Sequence, residues 1–127
     1  MTECAIVRFV SPPMDTNAFL LADPAACAAI AVDPACVGAK ILWQCRERAW
    51  KLQAIVLTHG HIDHIHDTAL LAREAKAPVL IHSADAPMLS DPLLSGATWL
   101  GMQHEPVKEA RLIGEATPSK LVLSRFR

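Results

Sequence analysis

The sequence predicts an α/β fold of the α+β kind, and three observations carry that expectation. Three short apolar runs, residues 4–10, 17–22 and 27–32, are each cut off by turn-forming residues, as strands are. Residues 35–51 place apolar side chains at helical spacing. The run Ala54-Ile55-Val56-Leu57 is partly β-branched and too brief for a helix, and a second helical stretch follows it at 67–76. Strands in close succession, then strands alternating with helices, make the pattern of a sheet with helices packed on it.

Each element has its own grounds. Ser11-Pro12-Pro13-Met14-Asp15 breaks the first strand, and Asp23-Pro24-Ala25 turns the chain between the second and third. Connections this tight predict an antiparallel meander. Asp33-Pro34 stops the third strand, with Asp33 a candidate helix cap. Over 35–51, Val37, Ile41, Leu42 and Cys45 share a face, while Lys40, Gln44, Arg46, Glu47 and Arg48 fall mostly elsewhere; Trp43 and Trp50 are expected to pack. Asp67 is a candidate N-cap for 67–76, and Pro78 stands just beyond that helix's end. Residues 79–81 read as a strand, 84–89 as a short helix or turn, 91–101 as a loop with little periodicity, and Leu112-Ile113 and Leu121-Val122-Leu123 as short strands.

Composition narrows the function classes. A chain of 127 residues is one domain at most, and 52% hydrophobic residues are ample for a core. A formal net charge of −1 gives no footprint for nucleic acid. No apolar run approaches the roughly 18 residues of a membrane-spanning helix. Glu3 and Cys4 stand where an export leader would be basic and then apolar, so a cytoplasmic location is expected. Cys4, Cys27, Cys36 and Cys45 lack metal or redox spacing and read as reduced thiols.

The chemistry concentrates in Thr58-His59-Gly60-His61-Ile62-Asp63-His64, between a strand end and a helix start. In extended chain, side chains two apart point the same way, so His59 and His61 can grip one ion. Asp63 and His64 follow where the chain must turn and can face a second. Imidazole nitrogen and carboxylate oxygen suit zinc, and also iron or manganese. A catalytic ion keeps a position open for water and lowers that water's pKa to about 7, giving hydroxide at neutral pH. Asp63 can alternatively orient that water as a general base. The blander readings are solvated loop histidines or a structural zinc clip; such clips usually include cysteine, and none lies near. Of the other histidines, His66 is expected in a first helical turn facing solvent and His82 as a structural residue at a strand end. His104 sits in a polar loop, lacks a partner pattern and is not expected to be a ligand.

At these residues the sequence resembles the metallo-β-lactamase-fold hydrolases, especially their glyoxalase II-like branch. His59-x-His61-x-Asp63-His64 after an apolar strand looks like their signature. Met14-Asp15-Thr16-Asn17-Ala18-Phe19-Leu20-Leu21 resembles their early N-x-x-L strand, Ala31-Val32-Asp33-Pro34 their next strand, and Val79 to Asp85 the strand and turn after the metal helix. The resemblance covers about residues 4–115. It implies the N-terminal half of a four-layer αββα sandwich, so that residues 1–127 are a single, truncated domain. It implies zinc as the cofactor, two ions in a complete domain, with iron or manganese as alternatives. His59 and His61 would hold the first ion, and Asp63 and His64 the second. Asp63 would also act in catalysis, and Asp33 would support the metal loop, a role compatible with capping.

The implied reaction is hydrolysis of a small ester or thioester by metal-bound hydroxide, as in a hydroxyacylglutathione hydrolase, with no nucleic-acid or membrane partner. Two departures stand out. His66-Asp67 occupies the place of a small pair, often Gly-Gly, and nothing matches the family's later third His, bridging Asp and last His. A sheet lacking its partner sheet would leave an apolar face open, to be covered by a homodimer partner or a complementing chain. The rivals are a metal-binding fragment without activity of its own and an iron-dependent sulfur dioxygenase of the same fold; a nuclease of that fold is disfavoured by the neutral charge.

Overall fold

Six strands form one sheet in sequence order: β1 (Ala5–Ser11), β2 (Thr16–Asp23), β3 (Ala28–Val32), β4 (Lys51–Val56), β5 (Val79–His82) and β6 (Arg111–Ile113). The computed structural model describes residues 4–114. β1, β2 and β3 pair antiparallel, and β3 to β6 run parallel. The change follows from the connections. Short turns can only reverse the chain, whereas parallel neighbours need a crossover. Helix α1 (Gly38–Arg48) crosses from β3 to β4; α2 (Ile62–Ile65) and α3 (Thr68–Ala75) cross from β4 to β5. After β5 come a 3-10 turn at Ala86–Leu89 and two single-turn helices, α4 (Pro92–Ser95) and α5 (Ala97–Leu100).

The sheet's two faces differ. One carries the main core, where Leu20, Ile41, Ile55, Ile62, Leu71 and Ile81 are essentially sealed from solvent beneath the helices. The other holds a smaller cluster of Ile30, Ala54 and Leu80, flanked by Leu21, Val56 and Ile113, and all of these are strand residues. Alternation along β1 sends Val7 and Phe9 to the core and Ile6 and Val10 outward, where they are 65% and 49% exposed. A register shift at Ala29/Ile30 skips Gln53, so Leu52 and Ile55 both reach the helix face although three apart. Among the described residues no helix is long and apolar enough to cross a membrane.

Several expectations need correction. The first helix spans Gly38–Arg48 rather than 35–51. Ala35 has a positive φ and its N–H donates to the His64 carbonyl, so the chain before Gly38 is spent on a tie to the histidine loop. At the other end Ala49 turns left-handed, and β4 starts at Lys51, earlier than the apolar run suggested, because its first residues pair with β3. Trp50 packs in the core, but Trp43 is 60% exposed on the outer side of α1. Residues 91–101 hold α4 and α5 instead of a plain loop; Asp91 caps α4 by accepting from the Leu93 N–H, and runs of one turn are too short to show periodicity. The expected strand at Leu121-Val122-Leu123 lies outside the described residues.

Candidate metal centre

Parallel strands bring their C-terminal ends to one edge, and there the loops after β3, β4 and β5 meet. Asp33 follows β3, Thr58 to His61 follow β4, and Asp85 follows β5. Thr16 arrives at the same edge because β2 runs the other way and starts there. The histidine loop is extended through His61, whose φ of −69° and ψ of 139° place it at the N-cap of α2; Asp63 and His64 lie inside that helical turn. The loop is pinned at its middle, where the Gly60 N–H donates to Asp85 Oδ2 at 3.2 Å. A Cβ at Gly60 would fall 2.4 Å from the Met88 Cβ, so the close passage admits glycine alone without displacement.

Asp33 organises the centre. It is 5% exposed and takes a left-handed φ of 49°, a conformation Asp tolerates better than most residues. Its Oδ1 accepts the Thr58 N–H at 2.8 Å, and its Oδ2 accepts the Thr58 hydroxyl at 2.5 Å and His64 Nδ1 at 3.0 Å. The Thr58 hydroxyl has one hydrogen, which goes to Asp33, so at its 2.9 Å contact with His59 Nδ1 it accepts. In the neutral form both imidazoles thus carry their proton on Nδ1 and leave the Nε2 lone pair for another partner. The candidate cap role of Asp33 is not seen, since α1 begins at Gly38 and Val37 is its N-cap.

The rings gather closely. The His59 centroid is 4.7 Å from that of His61, edge-on, and 4.1 Å from that of His64. His64 Nε2 lies 3.4 Å from Asp63 Oδ2. Two ligands about 2.05 Å from one tetrahedral ion stand roughly 3.3 Å apart, so this pair is spaced as a shared ion would space it. A lone pair facing a carboxylate oxygen is also an arrangement that a cation stabilises. Asp33, His59 and His64 each offer a ligand atom within 4.8 Å of the others. Of these Asp33 fits as a ligand least, because both its oxygens already accept hydrogen bonds; it fits as the group that aims His64. Desolvation, followed by the neighbouring His64 and His61, lowers the pKa of His59 and holds its imidazole neutral, the form a metal takes. The donor set present therefore fits a divalent ion of the zinc or iron type.

The remaining candidates sort out by contact. Among the described residues the imidazole nitrogens of His61 make no hydrogen bond, and the residue is exposed. His66 does not simply face solvent: its Nδ1 meets Asp67 Oδ1 at 2.7 Å. Asp67 stands at the N-cap of α3 but does not cap it; its Oδ2 accepts the Gly38 N–H at the start of α1 instead. His82 ends β5 outside the cluster, with Nδ1 accepting the Ala84 N–H. His104 has the partners its sequence context did not suggest. Its Nε2–H donates to the Leu89 carbonyl and its Nδ1 pairs with the Ser95 hydroxyl, which leaves no nitrogen for a metal. The Cys45 thiol is pushed up to about 11 by burial and the Cys36 thiol is raised, chiefly by burial, so neither is a ready nucleophile. Thr16, Thr58 and Asp85 support the centre although the sequence marks none of them as a site residue, because their partners lie far off in sequence or on the backbone.

Fold and site together define a class: an α/β chain with a histidine–carboxylate cluster of metal-binding type at the edge of its sheet. Residues 13–123 match the metallo-beta-lactamase superfamily, and the chain belongs to that family. A probable metallo-hydrolase of Bacillus subtilis, YflN, is 32% identical over 91 residues, which are 69% of this chain and 31% of that protein. Among solved structures, the BLEG-1 B3 metallo-beta-lactamase superposes with a TM-score of 0.81 at 26% identity, covering 87% of this chain and 54% of that one. TTHA1623 in a di-iron-bound form gives 0.74 at 25% identity, covering 88% and 56%. The chain spans less than half the length of the curated relatives it matches.

Proposed function

We propose that this chain carries the histidine-loop portion of a two-metal hydrolase centre, with His59 and His61 holding one ion and Asp63 and His64 the other. The observation that carries this reading is the 3.4 Å approach of His64 Nε2 to Asp63 Oδ2, in a cluster where Asp33 and Thr58 keep the Nε2 atoms of His64 and His59 free. The bound ions would supply Lewis acidity, lowering the pKa of water toward neutrality and polarising a carbonyl. The chain's own part is to hold the ligands aligned: Asp33 fixes His64 directly and His59 through Thr58, and Gly60 lets the loop pass close beneath Met88. Asp63, partly exposed beside His64, would in this reading also take a proton from water.

The substrate class that accords with a glyoxalase II-like member is a small ester or thioester, and zinc is the expected ion. The di-iron form of TTHA1623 supports iron as the alternative, and with iron an oxygen-consuming activity on a persulfide is the second reading. The apolar outer face of the sheet, with Ile6 and Val10 exposed, supports completion of the catalytic domain by further protein laid over it. The test is metal content of the purified chain by elemental analysis, followed by turnover of a short acyl thioester. Bound zinc or iron that is lost in His59→Ala and His64→Ala is the expected result. A wild-type chain that retains no transition metal on purification, and takes up none when it is offered, refutes the reading.

A further inference from the structure

One hydroxyl at the centre comes from outside the histidine loop. Thr16 opens β2, is 6% exposed, and is fixed in place by pairing with Ser11 of β1. Its Oγ1 donates to Asp63 Oδ2 at 3.0 Å, across 47 positions of sequence. Packing alone would favour valine at a buried strand position, since a buried hydroxyl costs free energy unless it is bonded. Among the described residues the Thr16 hydroxyl hydrogen bonds to Asp63 and to nothing else.

The oxygen it reaches is the one that matters. Asp63 Oδ2 is also the atom 3.4 Å from His64 Nε2. A carboxylate oxygen has two lone-pair directions, and Thr16 takes one of them. The terminal torsion of an Asp side chain is soft and nearly two-fold, so without a donor this partly exposed carboxylate would turn freely. With the donor in place, the second lone pair stays on the His64 side. Asp33 does the same for His64 from the opposite direction, through Nδ1. The Asp63–His64 half of the centre is therefore braced at both ligands, whereas the His61 imidazole has no hydrogen-bonded brace among the described residues.

We propose that Thr16 is a positioning residue: it orients Asp63 Oδ2 toward the ion shared with His64, and that ion is the more tightly held of the two. The proposal rests on the metal-centre reading above. It is tested on the intact chain by titration with cobalt(II), following the visible absorption band and competing with a chelator. Thr16→Val removes the hydroxyl at constant shape, and Thr16→Ser keeps it. For Thr16→Val the expected result is a loss of roughly 10- to 100-fold in affinity for the tighter cobalt and a changed band, the range for groups that support a ligand. Thr16→Ser is expected to restore both, and melting of the metal-free chain is expected to be similar in the two variants. If Thr16→Val does not fold, Thr16→Ala carries the same expectation with more room. A hydroxyl-free variant that folds and binds cobalt with the wild-type affinity and spectrum overturns the role of Thr16 and leaves the metal centre standing. A wild-type chain that binds no cobalt overturns both.

Discussion

Two of the chain's carboxylate–imidazole pairs meet through Nδ1, and they do different things. Asp33 and His64 meet at 3.0 Å, Asp67 and His66 at 2.7 Å. Judged by distance the second pair is the stronger, yet the first organises the centre. The difference lies in where the rest of each carboxylate goes. Asp33 is buried at the end of a core strand and spends its other bonds on Thr58, so it fixes the strand end, His64 and, through the Thr58 hydroxyl, His59. Asp67 spends its second oxygen on the Gly38 N–H, and its own N–H donates to the Ala35 carbonyl. It straps the start of α1 to the turn between α2 and α3, and its histidine is left at the side. A carboxylate–histidine pair signals a metal site only when the histidine's other nitrogen faces further ligands.

Mutation can break this contrast. Asp33→Ala leaves the Thr58 and His64 donors without their buried acceptor and should cost about 2–3 kcal/mol of stability, the upper range for losing hydrogen bonds to a charged group, with cobalt binding abolished. Denaturant melts and cobalt titration read both effects. Asp67→Ala removes hydrogen bonds at a half-buried strap and should cost about 1–2 kcal/mol while cobalt still binds; equal loss of binding in the two variants would erase the distinction. His66→Ala, at the outer end of that strap, should change stability by less than about 0.5 kcal/mol and leave the cobalt spectrum unaltered.

Acid sharpens the contrast from another side. The folded pKa of His59 is lowered below its ordinary value of 6.5, so the unfolded chain takes up that proton first. The stabilisation from a neutral His59 is present in full above pH 6.5 and declines as pH falls below it. Melting of the metal-free chain at pH 8 and at mildly acid pH should therefore differ less in His59→Gln than in wild type. A difference of the same size in both would remove His59 as its source.

How much was legible depended on range. The meander, α1, α3 and β5 show in the sequence because turn residues and apolar spacing are local signals. The strand-end placement of His59 and His61 shows for the same reason. Trp43 misled because position on a helix does not say which side the sheet lies on. Asp67 looked like a cap for its own helix and serves another, since its carboxylate found the Gly38 N–H 29 positions away. His104 looked unpartnered because one of its partners is a backbone carbonyl, and every residue type offers one.

The sequence by itself determined the meander, the two longer helices and β5, and it marked the residue types able to bind a metal and the loop that carries them, since these depend on side-chain chemistry and on neighbours within a few positions. Tertiary structure alone decided which nitrogen His59 and His64 present, that Asp33 supports His64 while Thr16 holds Asp63, and that among the described residues one face of the sheet is closed by helices while the other carries a cluster of strand side chains. Hydrogen-bond direction and burial are properties of atoms that meet in space, and the register of β2 against β3 and the parallel alignment of β3, β4 and β5 are what make these atoms meet.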